Sequence, residues 1–535
     1  MRTLATLGSR RRSLALLGLV LLVIAGFALD FAHGIMLGEH QIAFHPVYRL
    51  RQSLAVAISR LHIPAPGGYL AYGSVLKVFN QNGFAIFPEE GQFNLVTLEA
   101  VMRNAPEFDR ILHDAATVAI DPALPPDIIR ANELGYADYA YFAFRLFGLH
   151  ISSLYYFYFL ILGISAAIFA LQFRYSPFFL FLLVLFLGEI YFLETYANRN
   201  DMNLATVTNS RLFSGPSLLA AIHLLLLVWS RRPPRLAGII GAGAQAALLV
   251  FLTFCRTEIA WQVAMVLAAG ALIALGAAWR ARREPIATRR RLTRAAQEAW
   301  PAGILLAALS CMWLVTSFAV DQRYATEPKA HVLWHEVLIG ILSSSAELRR
   351  EYLGTADEAK YTDTMVYDAV IRDLNARNDA SSPISFVTQG HISIKLMEGW
   401  GIYDRMVRSL TLRIILKHPL LVIEGFVGRP ADQLHYYAAH KVFAPRFLAI
   451  PALLVALAAA ANAAAGGFRV GGADLRQGGL LLAFILAFAT ITPIIEPSNL
   501  AIGSLFCYLG AIVIVPCFAI VALGRLVGWG ATEAA

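Results

Sequence analysis

Long apolar runs separated by arginine-rich links constrain this chain more than any other feature. A helix needs about 20 residues to cross a hydrocarbon core, and by that criterion about ten runs qualify. They are Ser13–Ala32, Ile151–Phe173, Ser176–Tyr196, Leu212–Trp229, Leu236–Phe254, Ile259–Trp279, Trp300–Val320, Phe447–Ala465, Gly479–Ile495 and Leu500–Leu523. Hydrophobic residues make up 58% of the 535 residues and charged ones only 15%, too lopsided for a large soluble core. The fold class expected is an all-α polytopic membrane protein with two large outer-face (periplasmic) loop regions.

The formal charge is +8, which by itself would suit a nucleic-acid partner. Its placement argues otherwise, because the arginines stand between the apolar runs and alternate in side. Arg10–Arg12 precede the first run, Arg231, Arg232 and Arg235 follow the fourth, and Arg280–Arg294 is the most basic link. Arg469, Arg476 and Arg525 mark the last links. Under the positive-inside rule these links lie in the cytoplasm, as do both termini, in the inner (plasma) membrane. Membrane lipids are partners; nucleic acid is not. The first run is read as an uncleaved helix, because it is long and no small-x-small cleavage site follows it. The 4 cysteines, Cys255, Cys311, Cys507 and Cys517, fall in or beside apolar runs and read as small hydrophobes.

The chain then divides into a first membrane helix (1–32), a first outer loop with amphipathic helices (33–150), and membrane helices two to seven (151–320). A helical second outer region (321–446) and the last three membrane helices (447–535) follow. Loops of this size are functional regions, not connectors. Within the first, Arg49–Ile63 has apolar residues at helical spacing with arginines between them, the pattern of a helix lying on the membrane surface. Ile63–Gly73 and Asp121–Asp127 are turn-rich breaks, and Gly91–Ala115 predicts short helices. In the second region Leu410–Gly428 is nearly apolar enough to span, but Lys417, His418 and Pro419 interrupt it, so an interfacial or re-entrant helix is expected.

The chemistry concentrates where the first outer loop runs into the second membrane helix. Asp138, Tyr141 and Arg145 recur at i, i+3 and i+7, on one face of a helix beginning near Ala137. A carboxylate near a helix start is also simply favourable with the helix dipole. Glu133 precedes Gly135 in a turn that lets a second carboxylate approach. Arg199, Arg211 and Arg256 sit on the side where arginine is scarce and suit a phosphate or pyrophosphate headgroup, or pair with Asp201 and Glu258. Glu189 lies near the outward end of the third helix, where an ionisable group is costly, and Glu496 lies in the turn between the last two helices. His331 and His335 stand at i, i+4, a metal-binding spacing with no third ligand in view; His335 reads as structural or as part of a substrate loop. No cofactor is assigned, and a divalent cation stays open. The glycines of Gly238–Ala246 open a membrane helix with no preceding strand, so they read as helix packing and not a nucleotide loop.

The stretch Gly135–Arg174, with LFGLHISSLYYFYFLILG after an acidic and tyrosine-bearing segment, resembles the GT-C-type membrane glycosyltransferases, a superfamily that includes the protein O-mannosyltransferases. The adjacent Asp–Glu pair those enzymes carry soon after the first helix is absent; Asp30 stands there, and Glu89–Glu90 come much later. The resemblance implies a lipid-linked sugar donor on polyprenyl phosphate and a glycan, lipid or protein acceptor from the cell envelope. It also implies a carboxylate base at the outer face, for which Asp138 and Glu133 are the candidates. A polysaccharide polymerase or ligase shares the same outline. From another class, a lipid or solute transporter or flippase would use Glu189 and Glu496 as pathway residues, though no internal repeat supports two inverted halves.

Overall fold

A computed structural model of the chain describes residues 47–84, 105–129, 133–174, 213–230, 234–282, 288–326, 333–355, 363–376 and 400–428, with isolated positions in other apolar runs. Of the described residues 84% are helical, and none lies in a strand. Among the described residues, four helices are long and apolar enough to cross a bilayer, as expected of a membrane protein. The first and the last three apolar runs fall largely outside the described residues, as do Arg199, Arg211, Glu189 and Glu496.

Among the described residues, one continuous apolar core joins nine fully described helices, together with positions of Phe179–Ile190. These are α1 (Val47–Ser59), α2 (Gly73–Phe79), α3 (Ala105–Thr117), α4 (Gly135–Phe147) and α5 (Ile151–Gln172), then α6 (Ser214–Ser230), α7 (Leu236–Cys255), α8 (Ala260–Arg282) and α9 (Thr288–Ala319). Helix α5 is central, with 61% of its most apolar window buried, whereas the same measure for α9 is 11%. Trp313 and Phe318 of α9, Leu272 and Leu275 of α8, and Leu236 and Ile240 of α7 are exposed. Apolar surface of that extent is costly in water and neutral against lipid tails, so these faces suit a bilayer.

Helix α9 begins at Thr288, a turn or more inside the arginine-rich link and well before the apolar run starts at Trp300. Between Thr288 and Trp300 the chain carries Arg289, Arg290, Arg291, Arg294, Ala295, Ala296, Gln297 and Ala299, all good helix formers, and continuing the helix satisfies their backbone groups. Arg280 at the end of α8 donates to Glu298 at 2.9 Å, which fastens the hairpin of α8 and α9. Gly241 of α7 packs on Ile168 of α5, as the small-residue reading of Gly238–Ala246 expects.

Helix α1 departs from the surface-helix expectation. Arg51 to Ser59 are all buried, on every side of the helix. Part of the reason lies in the pattern: Leu54–Ile58 is an unbroken apolar run with no polar side, and the polar residues Arg49, Arg51, Gln52 and Ser53 all come before it. Arg51, which would have marked such a face, donates inward to Asn80 at 2.8 Å. Helix α3 meanwhile lends Asp109 to the start of α5, where its carboxylate accepts from the Ile151 N–H at 2.7 Å. An orphan donor of the long helix is thereby capped from a neighbouring element.

A second core gathers α11 (Leu333–Ser344), α12 (Ala346–Leu353), α13 (Asp363–Ala376) and α14 (Trp400–Lys417), numbered after the single turn α10 (Arg323–Thr326). Ser345 caps α12 by accepting from the Leu348 N–H, and Arg413 of α14 grips Asp373 of α13 with two bonds of 2.8 and 2.7 Å. After Lys417 the chain breaks at His418 and resumes as α15 (Pro419–Gly428). Proline lacks an N–H and is tolerated at a first helical position, which explains where the break falls. At about ten residues α15 is too short to cross a bilayer and suits an interfacial or re-entrant segment. Leu412, Leu416, Leu420, Ile423 and Val427 are exposed along this pair.

Candidate functional site

Three stretches far apart in sequence meet around Asp138. Helix α4 presents it from its first turn, where the N-cap position, Leu134, offers no side-chain bond. A carboxylate there has the helix dipole in its favour. Its oxygens nevertheless bind other elements instead of the helix's own N–H groups. Arg60, one residue past α1, forms an ion pair and hydrogen bond to Oδ1, and the Tyr69 hydroxyl donates to Oδ2 at 2.7 Å. The Arg60 guanidinium lies 4.4 Å from the centroid of the Tyr69 ring and 5.9 Å from that of Tyr141. The side chains of Arg60 and Asp138 keep 22% and 17% of their surface exposed, so the cluster borders solvent.

The electrostatics follow from that half-buried position. Burial raises the Tyr69 hydroxyl far above the ordinary phenol range; the charge of Asp138 and the bond to it add to this, while Arg60 works against it. The phenol therefore stays a donor. For Arg60, burial disfavours the cation, but the bond to Asp138, its charge and the nearby Tyr69 outweigh it, so the guanidinium is held charged.

Backbone geometry brings Tyr69 into place. Gly68 and Tyr69 have φ of +70° and +62°, the left-handed region that a tyrosine rarely enters. The turn is pinned on its far side by a paired bridge between Ala71 and Asp127, with both N–H···O bonds at 2.9 Å. Phe254, at the end of α7, meets the Tyr69 ring edge-on at 6.3 Å. Gly135 allows α4 to approach that point: a Cβ there would lie 2.6 Å from the Cys255 nitrogen.

Glu133 has a different task. Its Oε1 accepts from the Thr257 N–H at 3.3 Å, at the short 3₁₀ turn Thr257–Ile259. That places Arg256, which ends α7, beside the start of α4. Tyr141 joins Asp138 at the cluster, whereas Arg145, one further step along the same face, is exposed. His335 does not serve a surface loop: it is fully buried in the second core, 5.3 Å from the Tyr367 ring. His331 lies outside the described residues. Among the described residues no group of three or more His, Cys, Asp or Glu could hold a metal ion.

Sequence reasoning missed Arg60 and Tyr69, which were read as part of a surface helix and a turn. The available signals were an arginine at a helix C-terminus, where the dipole favours it, and the Gly67–Gly68–Tyr69 step. Chemically, the cluster offers a carboxylate whose two oxygens each have one partner among the described residues. A carboxylate oxygen has a second lone-pair direction that can accept from a further donor. A cation and a neutral donor stand beside it. Comparison with known protein families finds no model that matches this chain, and comparison with curated proteins finds no similar sequence.

Proposed function

We propose that the chain is a GT-C-like membrane glycosyltransferase, transferring a sugar from a polyprenyl-phosphate donor to a cell-envelope acceptor. In this reading about ten helices cross the inner membrane, by the length criterion, with both termini cytoplasmic. The two polar regions lie at the outer face, and the Asp138 cluster sits where the first of them enters α5. One observation carries the proposal: Asp138, directly before a membrane-length helix, is held by Arg60 and Tyr69 yet keeps accepting capacity and solvent access.

Asp138 would take the proton of the acceptor hydroxyl as that oxygen attacks the anomeric carbon and the bond to the polyprenyl phosphate breaks. Arg60, fixed against Tyr69, supplies positive charge near the departing phosphate, with Arg256 at the edge of the site. The test uses the full-length protein in lipid nanodiscs with a panel of polyprenyl-phosphate hexoses and pentoses as donors and cell-envelope glycan as acceptor. The wild type should release polyprenyl phosphate from at least one, and Asp138→Asn should lower that rate by about two to four orders of magnitude. Equal rates for the two proteins would refute Asp138 as the base.

A transporter reading has its own observation. His223 of α6 is fully buried, and neither ring nitrogen has a hydrogen-bond partner among the described residues. An ionisable group in such a helix is a pathway candidate. Loss of function in His223→Leu alongside full function in Asp138→Asn would favour transport.

A further inference from the structure

The segment that follows α9 reaches back to the Asp138 cluster. The Tyr324 hydroxyl donates to the Tyr69 carbonyl at 2.8 Å and accepts from the Ile129 N–H at 2.8 Å. One residue earlier in the turn, the Gly68 carbonyl accepts from the Asp321 N–H at 3.2 Å. Successive carbonyls of the left-handed turn are thus both held by Asp321–Tyr324. Packing adds to the bonds, since a Cβ at Gly68 would lie 3.0 Å from the Asp321 Cβ. The clamp itself is braced: Arg323 donates to the Pro126 carbonyl at 2.9 Å and to Asp321 Oδ1 at 3.0 Å.

A non-glycine residue in the left-handed region is strained and persists only where its surroundings over-determine it. At Tyr69 the surroundings that do so are the two carbonyl bonds on one side and the bond to Asp138 on the other. If Tyr69 relaxed to an extended conformation, its carbonyl would turn away from Tyr324 and its ring would leave both Arg60 and Asp138. Oδ2 of Asp138 would lose its partner, and the carboxylate could rotate about its own side chain.

We propose that Tyr324 is a positioning residue of this site: it locks Tyr69 in the left-handed conformation that aims the phenol at Asp138. The segment opening the polar region Asp321–Arg446 thereby sets the direction of the carboxylate. As an account of sugar transfer this rests on the reading of Asp138 as the base, but the locking of Tyr69 is measurable without it.

The experiment places 3-fluorotyrosine at position 69 of the full-length protein in nanodiscs and follows its fluorine resonance with pH. The groups facing that phenol are Asp138 and Arg60. In the wild type the probe should titrate well above the free amino acid, because burial and Asp138 both oppose its ionisation. Tyr324→Phe should move the resonance and bring the titration down by about one unit or more, toward an ordinary phenol. An unchanged resonance and titration in Tyr324→Phe would overturn the proposal. Should Tyr324→Phe not insert, Gly68→Ala decides, since its Cβ presses on Asp321 and should displace the turn in the same way; an unmoved probe there is equally fatal.

Release of polyprenyl phosphate is read in parallel. Tyr324→Phe should lower the turnover by about tenfold, the scale of one hydrogen bond, with little change in the concentration of donor needed for half-maximal rate. Full turnover in Tyr324→Phe beside an inactive Asp138→Asn would overturn the positioning role and leave the base in place. A displaced probe beside a fully active Asp138→Asn would do the reverse: Tyr324 still locks Tyr69, and the base assignment falls.

Discussion

The Arg60–Asp138 pair separates a structural lock from a reacting site if it is dismantled from both ends. Arg60→Met keeps a long stem over the Tyr69 ring, 4.4 Å from the present guanidinium, but removes the charge. It leaves Asp138 with Tyr69 as its remaining side-chain partner at this cluster. A hydrogen bond to a charged group is worth about 1.5–3 kcal/mol, and breaking a fully buried pair costs about 3–5 kcal/mol. With 22% and 17% of the two side chains exposed, water offsets part of that loss, so about 1–3 kcal/mol is expected from Arg60→Met. Asp138→Asn leaves Arg60 half-buried beside Tyr69 and should cost a similar amount. In the double variant neither charge is stranded, so its cost should fall short of the sum of the singles by about 1–2 kcal/mol. The assay is denaturant unfolding in one detergent for all four proteins, followed by loss of helix signal, with release of polyprenyl phosphate measured on the same samples. The two readings part at the variants that lack the Asp138 carboxylate. A lock alone predicts that transfer follows stability through all four proteins, so the double variant works about as well as Arg60→Met. A catalytic Asp138 predicts that the double variant is about as stable as the singles and yet loses transfer as fully as Asp138→Asn. A coupling energy below about 0.5 kcal/mol would refute the energetic reasoning, because independent sites add to within that margin.

Gly135→Ala should be the most damaging small change in α4: its Cβ meets the α7 backbone, and lowered yield and melting temperature in detergent would report about 1–3 kcal/mol of strain. Glu133→Gln keeps an acceptor for the Thr257 N–H, so it should cost under about 1 kcal/mol and spare sugar release; inactivity of this variant would move the base from Asp138 to Glu133. The Glu351 carboxyl is held below its usual value, first by its bond to Lys417 and against the effect of burial, with Tyr352 and the charge of His418 helping. A depressed folded value means that the pair stabilises α12 against α14 above pH of about 4.3 and that this is lost as pH falls through the folded value. Hydrogen exchange of α12 at pH 3 and 6 should show that loss in the wild type and not in Glu351→Gln. Tags within Arg280–Arg294 and near Asp363 should report cytoplasm and outer side respectively; a common compartment would mean the number of crossings between them is even.

What the sequence made legible was what is local. The runs Ile151–Phe173 and Leu236–Phe254 differ by a single residue at their ends from helices α5 and α7, because the length of an apolar run and its flanks decide such helices without outside help. The start of α9 was missed since its arginines were read for their topological meaning alone, although Arg is also a good helix former. Helix α1 was misread for a related reason: arginines at helical spacing suggested a wet face, and nothing local says that Arg51 reaches Asn80 or that α4 covers the helix. His335 shows where spacing leaves two readings open: the structural one fits its burial beside Tyr367 of α13, and the substrate-loop one does not.

The Asp138 cluster divides along the same line. Asp138 and Tyr141 share a face by the period of one helix, which the sequence displays directly. Arg60 and Tyr69 are 78 and 69 residues from Asp138, and Tyr324 is 255 residues from Tyr69, so no pattern within any window joins them. Two of these three joints, Tyr69 to Asp138 and Tyr324 to Tyr69, are single hydrogen bonds, each worth little alone. They act together because each group is already constrained by a second contact: Arg60 by the Tyr69 ring, Tyr69 by Tyr324, and Tyr324 by the Ile129 N–H. A carboxylate restrained in this way loses little entropy when a substrate hydroxyl reaches it, which is what a base needs and a simple helix-start aspartate does not provide. The strain held at Tyr69 therefore points to the aim of Asp138, and not to the stability of the turn, as the property the surrounding contacts maintain.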